Sequence, residues 1–153
     1  MERREFVVTA AAATAAMGIV SGAYAQGAAT SMHPPKYKAL QETAGRCVAT
    51  GNDCLRHCLG MMAMNDTSMA GCADTATQLV AACGALATLA AVNSTHVPAF
   101  AKAVADVCIS CQRECEKFLD IAECKACGDA CKTCAGECQK ASAILSAAIL
   151  EAE

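Results

Sequence analysis

The sequence predicts an all-α protein, an antiparallel up-down-up-down four-helix bundle with a cysteine-lined core. The main evidence is the run from Cys108 to Cys138, in which cysteines follow one another every three or four residues with one longer step. Residues at this spacing share one face of a helix, so the run predicts two helices, each with a stripe of thiols. Polar breaks at 65–68, 93–95 and near Asp120 delimit helices of similar length, and short connections favour antiparallel neighbours.

The composition describes one domain that is rich in alanine and sulfur. Of the 153 residues, 55% are hydrophobic and 3% aromatic, and the chain contains 13 cysteines, 7 methionines and no tryptophan. The formal net charge of −3 and the lack of a basic block argue against nucleic acid as a partner. Because the number of cysteines is odd, at least one thiol stays unpaired within the chain.

Residues 1–25 are interpreted as an export signal. Arg3 and Arg4 precede an apolar run at 6–20, and small residues lead to an expected cleavage site after Ala25. This run is shorter than the roughly 20 residues needed to span a bilayer, and we expect no membrane span in the mature chain. The arginine pair resembles a twin-arginine signal, which exports folded proteins. We therefore expect the protein in the periplasm or in the lumen of an internal membrane.

The rest of the chain is predicted to be a flexible lead-in, residues 26–35, and a bundle domain, residues 36–153. The first helix covers about residues 36–62, and the second ends near residue 92. Inward positions in both alternate steps of three and four, which is a heptad pattern. These positions include five cysteines: Cys47, Cys54, Cys58, Cys72 and Cys83.

The third helix is predicted at about residues 97–119, with Pro98 in its first turn, where proline is tolerated. The fourth helix begins at or beside Asp120. The inward positions of these two helices carry the other cysteines: Cys108, Cys111, Cys115, Cys124, Cys127, Cys131, Cys134 and Cys138.

The two ends of this predicted core differ. In an up-down-up-down bundle the first and third connections lie at the same end, so Met61, Met64 and Met69 are expected there, around the mouth of the thiol core. The opposite end is predicted to be a hydrocarbon plug, formed by Leu40, Leu86, Leu89, Phe100, Ile144, Leu145 and Ile149.

Spacing alone leaves three uses for the inward thiols. Free cysteine packs as a small hydrophobe, but 13 of them in place of leucine would make a core with little apolar area. Disulfides suit an exported protein, and Cys54 with Cys58 resembles the Cys-x3-Cys pairs of disulfide-linked helical hairpins. Against disulfides stand the odd count and the parallel direction of side chains on one helix face.

A metal site is the third use, and the ligand type favours copper. Soft thiolate and thioether ligands select Cu(I), zinc or iron–sulfur clusters. Structural zinc sites are separate closed sets, and iron–sulfur motifs end in a loop and a proline that the run from Cys124 lacks. Thiolates can bridge Cu(I) ions, so facing stripes of thiols could hold up to about one ion per cysteine. Methionine binds Cu(I) more weakly than thiolate, which suits an entry site.

An exported, cysteine-lined bundle with Cys-x2-Cys and Cys-x3-Cys motifs on its helices resembles the bacterial copper storage proteins, in particular the exported form from methane-oxidising bacteria. The resemblance implies a homotetramer of bundles that each store many Cu(I) ions. It also implies a copper-accepting partner, membrane-bound methane monooxygenase. It further implies that His57, Met61, Met64 and Met69 coordinate copper at the open end.

The sequence thus predicts a copper store and not an enzyme, with the 13 cysteines, His57 and the three mouth methionines as ligands. His57 lies next to Cys58 and one turn before Met61, and imidazole also binds copper. No Glu-x-x-His pair occurs, which argues against a di-iron bundle. The alternative is an exported thiol-disulfide redox protein or a disulfide-stapled helical interaction module.

Overall fold

A computed structural model describes the backbone of residues 32–150 and the side chains of residues 32–143. Within these residues the chain forms helices and no strands, so the predicted fold class is confirmed. The predicted signal peptide and most of the predicted lead-in lie outside the described residues. The four helices are α1 (Lys38–Ala63), α2 (Ala70–Ala91), α3 (Val97–Cys115) and α4 (Ala122–Leu150).

The helices are arranged as a four-membered bundle in which each packs against two neighbours. α1 and α3 both contact α2 and α4. Between α1 and α2, Cys54 meets Cys72, whereas Gly51, one turn earlier in α1, faces Leu79, two turns later in α2. Contacts that advance along one helix while receding along the other are those of antiparallel neighbours. The predicted four-helix bundle is therefore present.

Asparagines end the first two helices. Asn65 and Asn93 have φ angles of 64° and 53°, in the left-handed region that asparagine tolerates better than most residues. The Asn65 amide donates to the carbonyl of Met62, and the next amide donates to that of Met61. This pair of bonds is a Schellman motif, and the same pattern follows α2. The polar segments therefore act as helix stops, since the N-cap positions of α2 and α3 make no side-chain cap bonds.

The third helix ends earlier than the sequence predicts. α3 stops at Cys115, and Glu116–Phe118 continue as a single turn of 3-10 helix. A 3-10 turn is tighter than an α-turn and rotates the following side chains off the inward stripe. Phe118, the last residue of this turn, is consequently only half-buried against the core.

The end of the predicted flexible lead-in is attached to the bundle. The Asn93 side chain donates to the carbonyl of Pro34 at 3.1 Å and accepts from the amide of Lys36 at 2.7 Å. The next residue, Tyr37, is buried in the core. The α2–α3 connection therefore fixes where α1 begins.

One helix among the described residues, α2, is long and apolar enough by length and composition to cross a membrane. Its inward face is buried in the bundle, through Leu79, Leu86 and its two cysteines. A helix that contributes to a bundle core passes the same test as a membrane span, so this finding is weak evidence for a span.

The close packing of α1 on α2 at Gly51 yields a stability prediction. A Cβ on Gly51 would lie 2.9 Å from Cγ2 of Val80, a branched side chain with little freedom to move. We expect Gly51→Ala to destabilise the metal-free protein by about 1–3 kcal/mol through overpacking. Gly45→Ala is the matched control, because a Cβ there meets nothing within 4 Å. It should stabilise the helix by about 0.5–1 kcal/mol. Urea unfolding followed by circular dichroism measures both, and equal effects would contradict the prediction.

Candidate metal centre

All 13 cysteines lie in the core of the bundle. Each is fully buried, with no exposed side-chain surface, and each is a free thiol. The core of the described residues holds no buried polar or charged residue of another kind. The structure therefore presents the thiols unpaired, and not as the disulfide-stapled arrangement that the spacing left open.

Two groups of four cysteines bring their sulfur atoms within 4.8 Å of one another. The group nearer the α1–α2 connection takes its thiols from α1, α2 and α4, and the deeper group takes one from each helix. We call them the outer and inner groups. The outer group is Cys54, Cys58, Cys72 and Cys124, and the inner group is Cys47, Cys83, Cys108 and Cys134.

Two further groups of three cysteines extend the outer group along the bundle. One consists of Cys54, Cys115 and Cys127, and the other of Cys111, Cys127 and Cys131. Cys54 and Cys127 each belong to two groups, so the groups share ligands. The remaining cysteine, Cys138, lies 4.0 Å from Cys134, sulfur to sulfur. The Cys47 thiol of the inner group also interacts with that of Cys131, so the thiols form one connected file.

The distances within the file suit metal coordination. Sulfur atoms are 3.4 Å apart in the Cys54–Cys72 pair and 3.8 Å apart in the Cys54–Cys124, Cys83–Cys108 and Cys111–Cys127 pairs. Four sulfurs placed tetrahedrally at a metal–sulfur distance of about 2.3 Å are about 3.8 Å apart. The thiols are therefore spaced to receive metal ions with little rearrangement of the helices.

The ligand set is sulfur alone. Among the described histidine, cysteine, aspartate and glutamate side chains, every group of three or more that could hold a metal ion consists of cysteines. Thiolate sulfur selects soft or borderline ions such as Cu(I) and zinc, and disfavours magnesium and calcium, which prefer oxygen.

Burial opposes the ionisation of two thiols of the outer group. It raises the pKa of the Cys58 and Cys124 thiols above the ordinary value of 9.0, and the adjacent Cys54 and Cys72 raise both further, because one thiolate opposes ionisation of the next. Metal binding at these residues must therefore displace protons.

The predicted mouth residues lie at one end of the file but differ in exposure. Met69, the N-cap residue of α2, is buried with 1% of its surface exposed. Met61 is half-buried, whereas Met64 is 68% exposed. His57 is half-buried, and its Nε2 atom is buried without a hydrogen-bond partner. An unsatisfied imidazole nitrogen is compatible with a ligand role, although His57 belongs to none of the sulfur groups.

The opposite end of the file is closed by aliphatic side chains. Leu40 and Leu86 are buried, and Leu89 and Phe100 are half-buried against the same core. The side chains of the other predicted plug residues, Ile144, Leu145 and Ile149, lie outside the described residues. Val97 and Val104 of α3, which the sequence reasoning did not assign to the plug, are buried too.

The fold and the site together define a helical bundle with a metal-binding core of sulfur. Comparison with known protein families agrees: the model of the Csp family, copper storage protein, matches residues 33–143. The chain therefore belongs to the copper storage protein family. Comparison with curated proteins gives no match.

The raised thiol pKa values predict how the stability of the metal-free protein depends on pH. Below about pH 9, the Cys58 and Cys124 thiols are protonated in both the folded and the unfolded state and contribute no pH dependence. Above it the unfolded thiols ionise while the buried Cys58 and Cys124 keep their protons. The free energy of unfolding should then fall with pH, by about 1.4 kcal/mol per unit for each such thiol.

Urea unfolding of the metal-free protein at several pH values under anaerobic conditions measures this slope. The matched control is Cys58→Ser combined with Cys124→Ser, which removes two of the titrating thiols and should give a shallower slope. Equal slopes for the wild-type protein and the double variant would contradict the prediction.

Proposed function

We propose that this protein stores many Cu(I) ions on the buried thiolates of its core. The observation that carries the proposal is the sharing of cysteines between groups, because Cys54 and Cys127 each belong to two. A thiolate that contacts two metal positions is suited to bridging. Cu(I) accepts two or three sulfur ligands and tolerates bridging thiolates, whereas structural zinc uses separate closed sets of four.

Charge balance supports Cu(I) as well. A Cu(I) ion that replaces a thiol proton leaves the charge of the core unchanged. A zinc ion held by four thiolates leaves a charge of −2, and the described core contains no buried cation to offset it. Burying uncompensated charge is costly, so an apolar core with 13 thiols accommodates many Cu(I) ions more readily than many zinc ions.

Copper entry is proposed at the end that carries the α1–α2 connection. Met64 is exposed there, Met61 is half-buried and Met69 is buried next to the outer group, so the three thioethers differ in depth. His57 adds an imidazole nitrogen without a hydrogen-bond partner. These four residues would pass Cu(I) from solvent to Cys58 and its neighbours, since thioether holds Cu(I) less tightly than thiolate.

The copper capacity tests the storage proposal. An anaerobic titration of the reduced protein against a chromophoric Cu(I) chelator should show withdrawal of many equivalents, up to about one per cysteine. Replacing Cys124, Cys127, Cys131 and Cys134 with Ser should lower the capacity by roughly four ions on that stoichiometry. The control is Lys125→Gln with Asp129→Asn, an exposed ion pair on the same helix, which should leave the capacity unchanged.

Saturation of the wild-type protein at one or two ions would refute storage. If, in addition, most cysteines are still in disulfides after mild reduction, the result would favour the redox alternative.

The mouth is tested by loading rate. Replacing Met61, Met64 and Met69 together with Leu should slow copper uptake at low copper concentration and change the capacity little, because the buried thiolates remain. Met62→Leu is the matched control, since Met62 packs partly against the same core but is not a proposed ligand. Stopped-flow measurement of uptake from a weak Cu(I) donor compares the variants. An uptake rate equal to that of the control would remove the methionines from the entry route.

The cellular setting is proposed from the sequence. The Arg3-Arg4 signal would export the folded protein to the periplasm or an internal membrane lumen. Folding before export would bury the thiols before they meet an oxidant. The similarity to exported copper storage proteins supports a homotetramer and a copper-accepting partner, with membrane-bound methane monooxygenase as the proposed recipient.

A further inference from the structure

The file of thiols is one-sided at the middle of the bundle. The middle group, Cys111, Cys127 and Cys131, draws all its sulfur from α3 and α4. By contrast, the inner group takes a thiol from every helix, and the outer group includes thiols from α1 and α2. Only half of the core wall at this level therefore carries a metal ligand.

The facing half of the wall carries no thiol. In α1, Gly51 occupies the inward position between Cys47 and Cys54, and it is buried. In α2, the inward positions between its two cysteines are Ala76 and Leu79, both fully buried. None of these three residues offers an atom that binds copper.

Val80 and Leu79 both pack against Gly51. A Cβ on Gly51 would lie 2.9 Å from Cγ2 of Val80 and 3.4 Å from Cδ2 of Leu79, and of these two side chains only Leu79 is fully buried in the core. At the other inward positions of α1 nearby, Cys47 and Cys54 each reach thiols of α2 and α4. Leu79 thus separates the α1 and α2 thiols of the outer group from those of the inner group.

One thiol of the inner group, Cys47 of α1, interacts with a thiol of the middle group. Its partner there is Cys131, and it also interacts with the three other thiols of its own group. The connection between the two groups of four therefore runs along α3 and α4, past Leu79.

This inference rests on the proposed storage of Cu(I). We propose that Leu79, which packs against Gly51, narrows the thiol file to a neck formed by Cys111, Cys127 and Cys131. The neck divides the stored copper into an outer pool, which exchanges with the mouth, and an inner pool. Leu79 is a positioning residue: it binds no copper and restricts the route by which copper moves.

Movement through the neck is ligand exchange without a redox step. A Cu(I) ion forms a bond to the next thiolate as its bond to the previous one breaks, and the copper stays Cu(I). A proton moves in the opposite direction, from the thiol that becomes a ligand to the thiolate that is released. Where all sides of the core carry thiols, a bound ion has several neighbouring thiolates to which it can move. At the neck it has few. Exchange of the inner pool should therefore be the slower process.

Copper release tests this arrangement. Full-length protein loaded to capacity with Cu(I) is mixed anaerobically with excess chromophoric Cu(I) chelator, and release is followed over time. The wild-type protein should release copper in a fast and a slow phase. Leu79→Ala should accelerate the slow phase about tenfold, equivalent to about 1.4 kcal/mol off the barrier.

Leu86→Ala is the matched control, because Leu86 is equally buried on the same helix but lies beyond Cys83, away from the neck. It should leave the slow phase within about twofold of wild type. Since either alanine variant could fail to fold, circular dichroism is checked first. Leu79→Met and Leu86→Met then form a second pair, because this swap conserves volume and is well tolerated. Leu79→Met should accelerate the slow phase by placing a thioether at the neck, and Leu86→Met should not.

Release of copper in a single phase by the wild-type protein would overturn the proposal of a neck. Equal acceleration of the slow phase by the Leu79 and Leu86 variants would do the same. Either result with high capacity leaves storage intact. Saturation at one or two ions in the equilibrium titration would refute storage itself, so the two failures are distinguishable.

Discussion

The structure depends on the burial of 13 free cysteines in one helical core. Cysteine contributes less apolar area than leucine, so this core stabilises the fold less than an aliphatic one of equal length would. Burial and the neighbouring thiols Cys54 and Cys72 oppose ionisation of Cys58 and Cys124 and raise the pKa of both. Alanines such as Ala44, Ala76 and Ala101 lie among the thiols and let the helices approach until sulfur atoms of different helices are 3.4 to 3.9 Å apart.

The same constraint explains the match between this core and a singly charged soft cation. A core without buried polar partners can exchange a proton for Cu(I) with no change in charge, but cannot hold many doubly charged ions on thiolates. Metal binding also supplies what the metal-free core lacks, since bonds between thiolates and bound ions link the four helices. Because only the folded chain brings these thiols together, bound copper should stabilise the native state. Storage and stability are therefore coupled in this bundle.

The side chains that line the core differ in chemistry between its two ends and its middle along the bundle axis. Leu40 and Leu86 close one end with hydrocarbon, while methionines of graded exposure lie at the other. Between them, Leu79 on Gly51 interrupts the sulfur of α1 and α2. A file that was sulfur on every side would exchange copper freely along its length. The interruption offers a physical means for one fold to keep part of its copper less accessible.

The sequence by itself determined the fold class, the inward direction of all 13 cysteines and the approximate helix ends, because heptad spacing and the asparagine stops act over a few residues. It did not reveal that α3 ends at Cys115, since the 3-10 turn before α4 depends on how those helices meet. It also could not show that Cys54 and Cys127 are shared between groups, or that Leu79 fills the space beside Gly51. Both facts depend on the register between helices, and no repeat within one helix encodes which residue of a neighbour lies opposite. The tertiary structure alone decided how a stripe of thiols became a connected file with a narrow middle.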